Sequence, residues 1–541
     1  MIKVFSRASL FCLAAGLLAA PARAERLLGT AFDADDAFLL AQESMDDLFE
    51  STEPAAEKPT SAAPVAPPAA ATPAPAAVTP TPPADTTQSE PGSMDDLFEA
   101  APATAAEPAP AAKPPTPETA PALPEMAPPA VAVTKQPPAV KVTGFVQNEL
   151  GYAYANAAHF SKFKTLSKVR ISGRFNDKVS WQLGGHLQYD PVFQFENHYS
   201  DRVEDDQQVD GYVDETFIDI DAGAWDIRLG RQHIVWGEMV GLFFADVVSP
   251  LDLREFVLPD FDLMRIPQWA ARAEYFADDF HGEVIYIPHM TIDDLGVPGS
   301  EFFPFPIKLP VGVQSVFRRD KTPDNIQDFG LGGRASWLKN GWDYSFFYYT
   351  SPDKTAAFQR QIDFGLTPTV TFTPTHERIH QFGSTVAKDF GSFVLKAEAI
   401  ETTDRNISVT DLVDADGLAK SNELRYVVGV DWAGETGHNA NIQLFQTWLQ
   451  DHQPTMIFKE VETGVSLFLT TTSWHRDVKP EILWIRSLDR NEWLLETKVT
   501  WNFTPDWRAV LGSDIFEGPA TGVLGQFDSS DRVYWELRDS F

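Results

Sequence analysis

From Lys141 to Phe541 the chain alternates apolar and polar residues with a period of two. Successive side chains of a strand point to opposite faces, so this pattern dictates strands with one apolar and one polar side. Between Val179 and Tyr189, residues Trp181, Leu183, Gly185, Leu187 and Tyr189 share one face. Ser180, Gln182, Gly184, His186 and Gln188 share the other. Val169, Ile171 and Phe175 alternate in the same way just before it, and Asn176-Asp177-Lys178 turns the chain between the two. Further on, Leu424 to Trp432 and Trp493 to Phe503 repeat the pattern, and Thr504-Pro505-Asp506 makes another turn.

These strands run about 9–12 residues, the length a tilted strand needs to cross a bilayer. Short turns near Asn176, Gly223, Asp278, Gly341, Gly391, Gly434 and Pro505 alternate with long loops over 190–210, 236–267, 289–326, 352–373 and 403–421. That asymmetry is the pattern of an outer-membrane barrel. The expected fold is all-β: a transmembrane antiparallel β-barrel of about 16–18 strands, preceded by a disordered N-terminal tail. The uncertainty in number comes from 452–490, which reads either way. A secreted sandwich or propeller would have shorter strands. Val533, Trp535 and Leu537 alternate with Tyr534, Glu536 and Arg538 before Phe541, which resembles the terminal signature of bacterial barrels, although Asp539 departs from it.

Residues 1–24 read as a signal peptide. Lys3 and Arg7 give a basic start, Leu10–Ala20 an apolar core, and Ala22-Arg23-Ala24 a cleavage site. The single cysteine, Cys12, falls inside that segment, so the mature chain has neither disulfides nor cysteine-ligated zinc. With 77 Asp+Glu against 43 Lys+Arg, the net charge of -34 opposes nucleic-acid binding. No run of 18 apolar residues follows the N-terminus, so no helix spans a bilayer.

Residues 25–50 form an acidic segment, and 51–140 hold 23 Pro and 26 Ala among 90 residues. Such a stretch has too little apolar surface to repay ordering, so a disordered linker is expected. Ser44-Met45-Asp46-Asp47-Leu48-Phe49-Glu50 recurs identically as Ser93-Met94-Asp95-Asp96-Leu97-Phe98-Glu99. Each copy opens like a helix, with a Ser cap and an acidic first turn. Met45, Leu48 and Phe49 then share a face, as do Met94, Leu97 and Phe98. Docked in a groove they would bind a partner, and two copies on one tether would add avidity. The alternative is a neutral duplication. The expected location is the Gram-negative outer membrane, among lipid and lipopolysaccharide, with the tail in the periplasm.

Parity assigns a charged lumen, including Lys168, Arg170, Arg174, Glu215, Asp219, Arg228, Lys396, Glu398, Arg425, Glu496, Lys498, Arg508, Arg532, Glu536 and Arg538. The segment 226–267 is the most distinctive. Continued alternation would aim Arg231 at lipid, which is costly, so a bulge at Gly230 is expected to turn it inward. The loop that follows is too apolar for water. Phe243, Phe244, Val247, Val248, Leu251, Phe256, Leu258, Phe261 and Met264 call for burial. It is therefore expected to fold into the barrel mouth and narrow it. The constriction candidates are Arg231, Gln232, Trp236, Glu238, Asp246, Asp252, Arg254 and Arg265, with Glu255 supplying a further polar contact. A second loop, Val297 to Phe317, with Phe302, Phe303, Phe305, Pro304 and Pro306, is expected to pack over the mouth.

Leu229-Gly230-Arg231-Gln232, Trp236-Gly237 and Asp246-Val247-Val248-Ser249-Pro250-Leu251-Asp252 resemble a proteobacterial family of outer-membrane proteins of unknown function. The resemblance implies a β-barrel channel. It also implies association with inner-membrane export pumps of the resistance-nodulation-division type, hence traffic in lipids or apolar molecules. No catalytic residues come with it.

His376-Glu377-Arg378-Ile379-His380 matches a zinc-protease pattern, but that chemistry needs a helix. On a strand the two histidines would stand about 13 Å apart. Asp201, Glu204, Asp205, Asp206, Asp210 and Asp214 could bind calcium, but they lack the EF-hand spacing. No catalytic, cofactor or metal site is expected. The expected function is an outer-membrane channel with a loop-constricted barrel and a partner-recruiting tail. The alternative is a structural envelope protein with a sealed barrel, and less favoured is an outer-membrane hydrolase.

Overall fold

The computed structural model describes residues 140–541 apart from 240–244, 306, 324–326, 412, 435 and 473–474. The signal segment, the linker, both copies of the repeated motif, Phe243, Phe244 and Pro306 lie outside the described residues.

The strands are β1 (Val140–Ala153), β2 (His159–Asn176), β3 (Val179–Tyr189), β4 (Val209–Val213), β5 (Thr216–Asp221), β6 (Trp225–Gln232), β7 (Gln268–Ala277) and β8 (Phe280–Ile287). They continue with β9 (Gln314–Phe317), β10 (Gly330–Lys339), β11 (Trp342–Pro352), β12 (Ala357–Asp363), β13 (Thr369–Thr375), β14 (Arg378–Asp389), β15 (Phe393–Ser408) and β16 (Leu418–Ala433). The last six are β17 (His438–Leu449), β18 (Val461–Thr471), β19 (Val478–Ser487), β20 (Trp493–Asn502), β21 (Trp507–Glu517) and β22 (Arg532–Ser540). All but β9, β12 and β13 form one antiparallel sheet, and β1 pairs with β22 to close it. β4 and β5 pair in succession with β3 and share one stave, so the barrel has 18. The stretch 452–490, ambiguous in sequence, contains the whole of β18 and of β19.

The alternation places apolar side chains on the outer wall and polar ones inside. On β3, Leu183 and Leu187 are half exposed, whereas His186 and Gln188 are buried. On β20, Val499 and Trp501 face out and Glu496 and Lys498 face in. Only a lipid-facing barrel wall favours this inversion of a soluble protein's pattern. Short turns, such as Asp278–Asp279 and Asn340–Gly341, occupy one rim, and the long connections occupy the other. The chain enters β1 on the short-turn rim, where Gly144 and Phe541 exchange two backbone hydrogen bonds of 2.9 Å.

One feature of the long loops is absent from the sequence reading. β12 and β13 form a hairpin, and β9 adds to β13 in parallel. Phe317 stacks on Phe372 at 4.9 Å, and Phe305 meets Phe372 edge-on at 4.8 Å. The expected loop segments around 297–317 and 352–373 are thus joined by a small aromatic-packed sheet. Its strands look irregular in sequence because they have no lipid face to enforce alternation.

The histidines of the protease-like pattern sit on different elements. His376 precedes β14 and pairs with Asp320 at 2.9 Å, while His380 lies within β14 and meets the Tyr348 hydroxyl at 2.8 Å. In the acidic loop, Asp210 pairs with Arg254 at 2.7 Å and Asp214 with Lys168 at 3.2 Å.

Candidate functional site: the inserted loop

The connection from β6 to β7, described over 233–239 and 245–267, folds into the barrel. It begins at Gln232, which is fully buried and donates its side-chain amide to the Ala270 carbonyl at 3.1 Å. The expected bulge at Gly230 is not there: β6 keeps continuous register with β5 and β7. Instead Gly230 takes φ 139°, and a Cβ there would strike the Thr216 carbonyl and Phe217. Arg231 donates from Nε to the Pro267 carbonyl at 2.9 Å, and its guanidinium lies 5.4 Å from the centre of the Tyr212 ring. A backbone acceptor and an aromatic face therefore hold this cation at the membrane wall.

The first limb is apolar and anchored. Trp236 is completely buried, donates Nε1 to Glu283 at 3.0 Å, and packs against Phe347 and Tyr349 of β11. Ile234, Val247 and Val248 join Ile285, Ile400 and Val427 of the wall in one core cluster. Glu398 of β15 accepts three backbone N–H groups from this limb: Glu238 at 2.5 Å, Met239 at 3.0 Å and Ala245 at 2.9 Å. The wall carboxylate thus supplies acceptors that a helix or sheet would otherwise provide. The Glu238 side chain reaches Arg334 at 3.5 Å, and burial pushes its carboxyl upward.

Asp246 and Arg265 tie the two limbs together at 2.7 Å. Lys354 donates to the carbonyls of Asp246 and Ser249. Arg254 is clamped by Asp252 at 2.6 Å, Asp210 at 2.7 Å and Asp294 at 3.4 Å.

The second limb reaches a different part of the wall. Glu255 pairs with Lys162 at 2.5 Å and Lys164 at 2.6 Å on β2, and with Arg532 at 2.9 Å on β22. Asp260 pairs with Lys498 at 3.1 Å, Arg508 at 3.0 Å and Arg538 at 3.8 Å, on β20, β21 and β22. Lys498 beside Asp260 holds its carboxyl well below the usual range, with Arg508 and Arg538 adding to the effect against burial. Burial alone would raise Glu255, but Lys162, Lys164 and Arg532 outweigh it and hold that carboxyl low as well. Between these acids, Phe256 adopts φ 55°, rare for a bulky residue, and is held there by packing on Phe516 and Phe527.

Two small cavities flank this limb. One of about 80 Å³ is lined by Glu149, Lys162, Lys164, Asp252, Arg254 and Glu255, among others. The other, about 30 Å³, lies towards the short-turn rim and includes Glu496, Lys498, Thr500 and Arg508. Leu258, Asp260, Tyr534 and Glu536 border both. The residues the two cavities share thus come from the loop on one side and β22 on the other.

Of the eight candidates from sequence, Asp252 and Arg254 line the larger cavity. Gln232, Trp236, Asp246 and Arg265 are fastenings of the loop, Glu238 supplies a backbone anchor to Glu398, and Arg231 sits at its root. Lys162, Lys164, Glu149 and Asp260 were not singled out. The signal was present for the lysines, because Lys162, Lys164, Lys168 and Arg170 share one parity on β2.

A closed barrel with a lipid-adapted outer wall and a charged interior is a transmembrane β-barrel of the Gram-negative outer-membrane type. The chain belongs to the family described as protein of unknown function DUF1302, whose model matches residues 173–507. No curated protein matches it. Among solved structures it is similar to Acinetobacter baumannii OccAB1, with 8% identity, 74% of this chain and 96% of that one covered, and a TM-score of 0.46. It is also similar to Pseudomonas aeruginosa OccD3 (9% identity, 74% and 91% covered, TM-score 0.43). A third is Salmonella typhi OmpF in complex with daunomycin (10% identity, 74% and 97% covered, TM-score 0.40).

Proposed function

We propose that the protein is an outer-membrane channel whose aperture is set by the inserted loop. The observation that carries this reading is the double anchorage of 233–267, by Glu398 on one part of the wall and by Glu255 and Asp260 on another. Leu258, Asp260, Tyr534 and Glu536 border both cavities, so a solute route in this reading would run past them. The lining carries both signs of charge, which favours a small polar solute. An apolar one, as the family resemblance implies, would have to desolvate charged walls.

The test is single-channel conductance of the refolded protein in a planar bilayer, with and without residues 236–267. Conductance that rises when the loop is removed supports the reading. No current in either form would mean a filled lumen and would favour the structural envelope protein.

The tail completes the proposal. Its two Ser-Met-Asp-Asp-Leu-Phe-Glu segments would recruit a periplasmic or pump partner, with Met45, Leu48 and Phe49, and Met94, Leu97 and Phe98, as the docking faces. Deleting both segments should abolish co-purification of that partner while leaving the barrel folded. An unchanged set of co-purifying proteins would remove the tail from the model.

A further inference from the structure

We propose that His159, His198 and Glu301 form a binding site for a divalent transition-metal ion on the long-loop rim. The three come from separate connections: His159 opens β2 after the β1–β2 loop, His198 lies between β3 and β4, and Glu301 between β8 and β9. Their ligating atoms all fall within 4.8 Å of one another. An ion bonded at about 2.0–2.2 Å spans ligand pairs up to about 4 Å apart. His198 is exposed, so its ring can turn out of its stack on His159 to complete the set.

The hydrogen bonds around His159 ask for a cation. Its Nδ1 lies 2.6 Å from the Ala157 carbonyl, which can only accept, so Nδ1 carries the hydrogen. Nε2 then faces the Glu301 carboxylate at 2.9 Å. With a neutral imidazole both atoms are acceptors. The Tyr199 hydroxyl lies 2.9 Å from the carboxylate and 3.1 Å from Nε2, and it has one hydrogen to give. A proton on Nε2 would satisfy the pair, but it would not explain the second imidazole. The His198 ring stacks on that of His159 at 3.7 Å, nearly parallel at 12°. Two imidazoles and one carboxylate gathered from three connections offer the nitrogen and oxygen donors that a transition-metal ion prefers.

The surroundings match what ligating side chains need. The ring N–H of His159 is fixed by a backbone carbonyl, and the carboxylate of Glu301 is held by Tyr199, as outer partners orient ligands at metal sites. Two nitrogens and one oxygen suit zinc, copper or nickel rather than calcium or magnesium, which prefer oxygen alone. Tyr199 and Glu301 also line the larger cavity, so an ion here would lace three loops together at its edge.

The test is calorimetric titration of the full-length barrel in detergent with zinc chloride, after chelator treatment, repeated with His198→Ala, His159→Ala and Glu301→Gln. One ion per chain is expected, with affinity lowered about tenfold or more in each variant. His198 is exposed, so its variant keeps the buried contacts; heat-modifiable migration on gels checks the fold of all three. Cobalt(II) should in addition give the absorption bands of a low-coordinate nitrogen–oxygen site, lost in His198→Ala. Absence of saturable binding would overturn the proposal. So would binding that all three folded variants retain unchanged.

Discussion

Asp260 approaches Lys498 to 3.1 Å although the loop that carries it departs from β6 and Lys498 belongs to β20. Arg508 and Arg538 converge on the same carboxylate. One acid from an inserted loop thus partly neutralises three cations of the wall, and Glu481 shares Lys498 at 3.7 Å.

Replacing Asp260 with Asn removes that neutralisation. Lys498, Arg508 and Arg538 would repel one another and the limb would lift. Conductance should rise, and stability should fall by about 1–3 kcal/mol from the unmatched groups. Single-channel recording with a urea unfolding curve checks both, and an unchanged conductance would show that Asp260 does not set the aperture.

The pH response follows from the sign of the shift. The Asp260 carboxyl is held below its unfolded value, so its stabilisation is complete above the unfolded pKa and is lost only as pH falls through the lower folded value. Glu255 behaves in the same way. The anchorage of this limb, followed by amide exchange at Phe261 and Asp262, should hold from neutrality down to about pH 4, the ordinary carboxylate range, and weaken only below it. A transition near pH 6 would mean that other groups control the constriction.

Glu398→Gln exchanges one accepting oxygen for a donor that opposes the loop amides. At least one of the three hydrogen bonds fails, at a cost of about 1–3 kcal/mol for a buried unsatisfied group. Amide hydrogen exchange at Glu238, Met239 and Ala245 should accelerate, while the amides of β20 to β22 stay protected.

Trp236→Ala empties a fully buried site and removes the Nε1 donor from Glu283. The loss should be about 3–5 kcal/mol, the usual range for truncating a large buried aromatic. A lowered urea midpoint would record it. A change under about 1 kcal/mol would mean that the loop is not packed as a core.

The barrel was legible because lipid enforces its alternation: Leu183 and Leu187 had to face one way and His186 and Gln188 the other. The apolar content of 245–264 likewise announced burial of a loop. What sequence did not show was which wall each limb would meet. Asp260 and Lys498 stand 238 positions apart, and nothing local in either links them. The bulge expected at Gly230 followed from an argument about cost to Arg231. The chain meets that cost with the Pro267 carbonyl and the Tyr212 ring and keeps its register. The pairing of β9 with β13 was hidden because parallel partners far apart in sequence share no turn signal.

The two anchorages of the loop make it a spoke rather than a door. A door needs one fixed edge and one free edge, whereas this segment is fastened to β15 at its start and to β2 and β20–β22 farther along. Among the described residues both of its limbs are tied to the wall. If the loop sets an aperture, widening it would take side chains turning beside Asp260 or a change in the roundness of the cylinder, which the lateral pressure of the membrane would oppose.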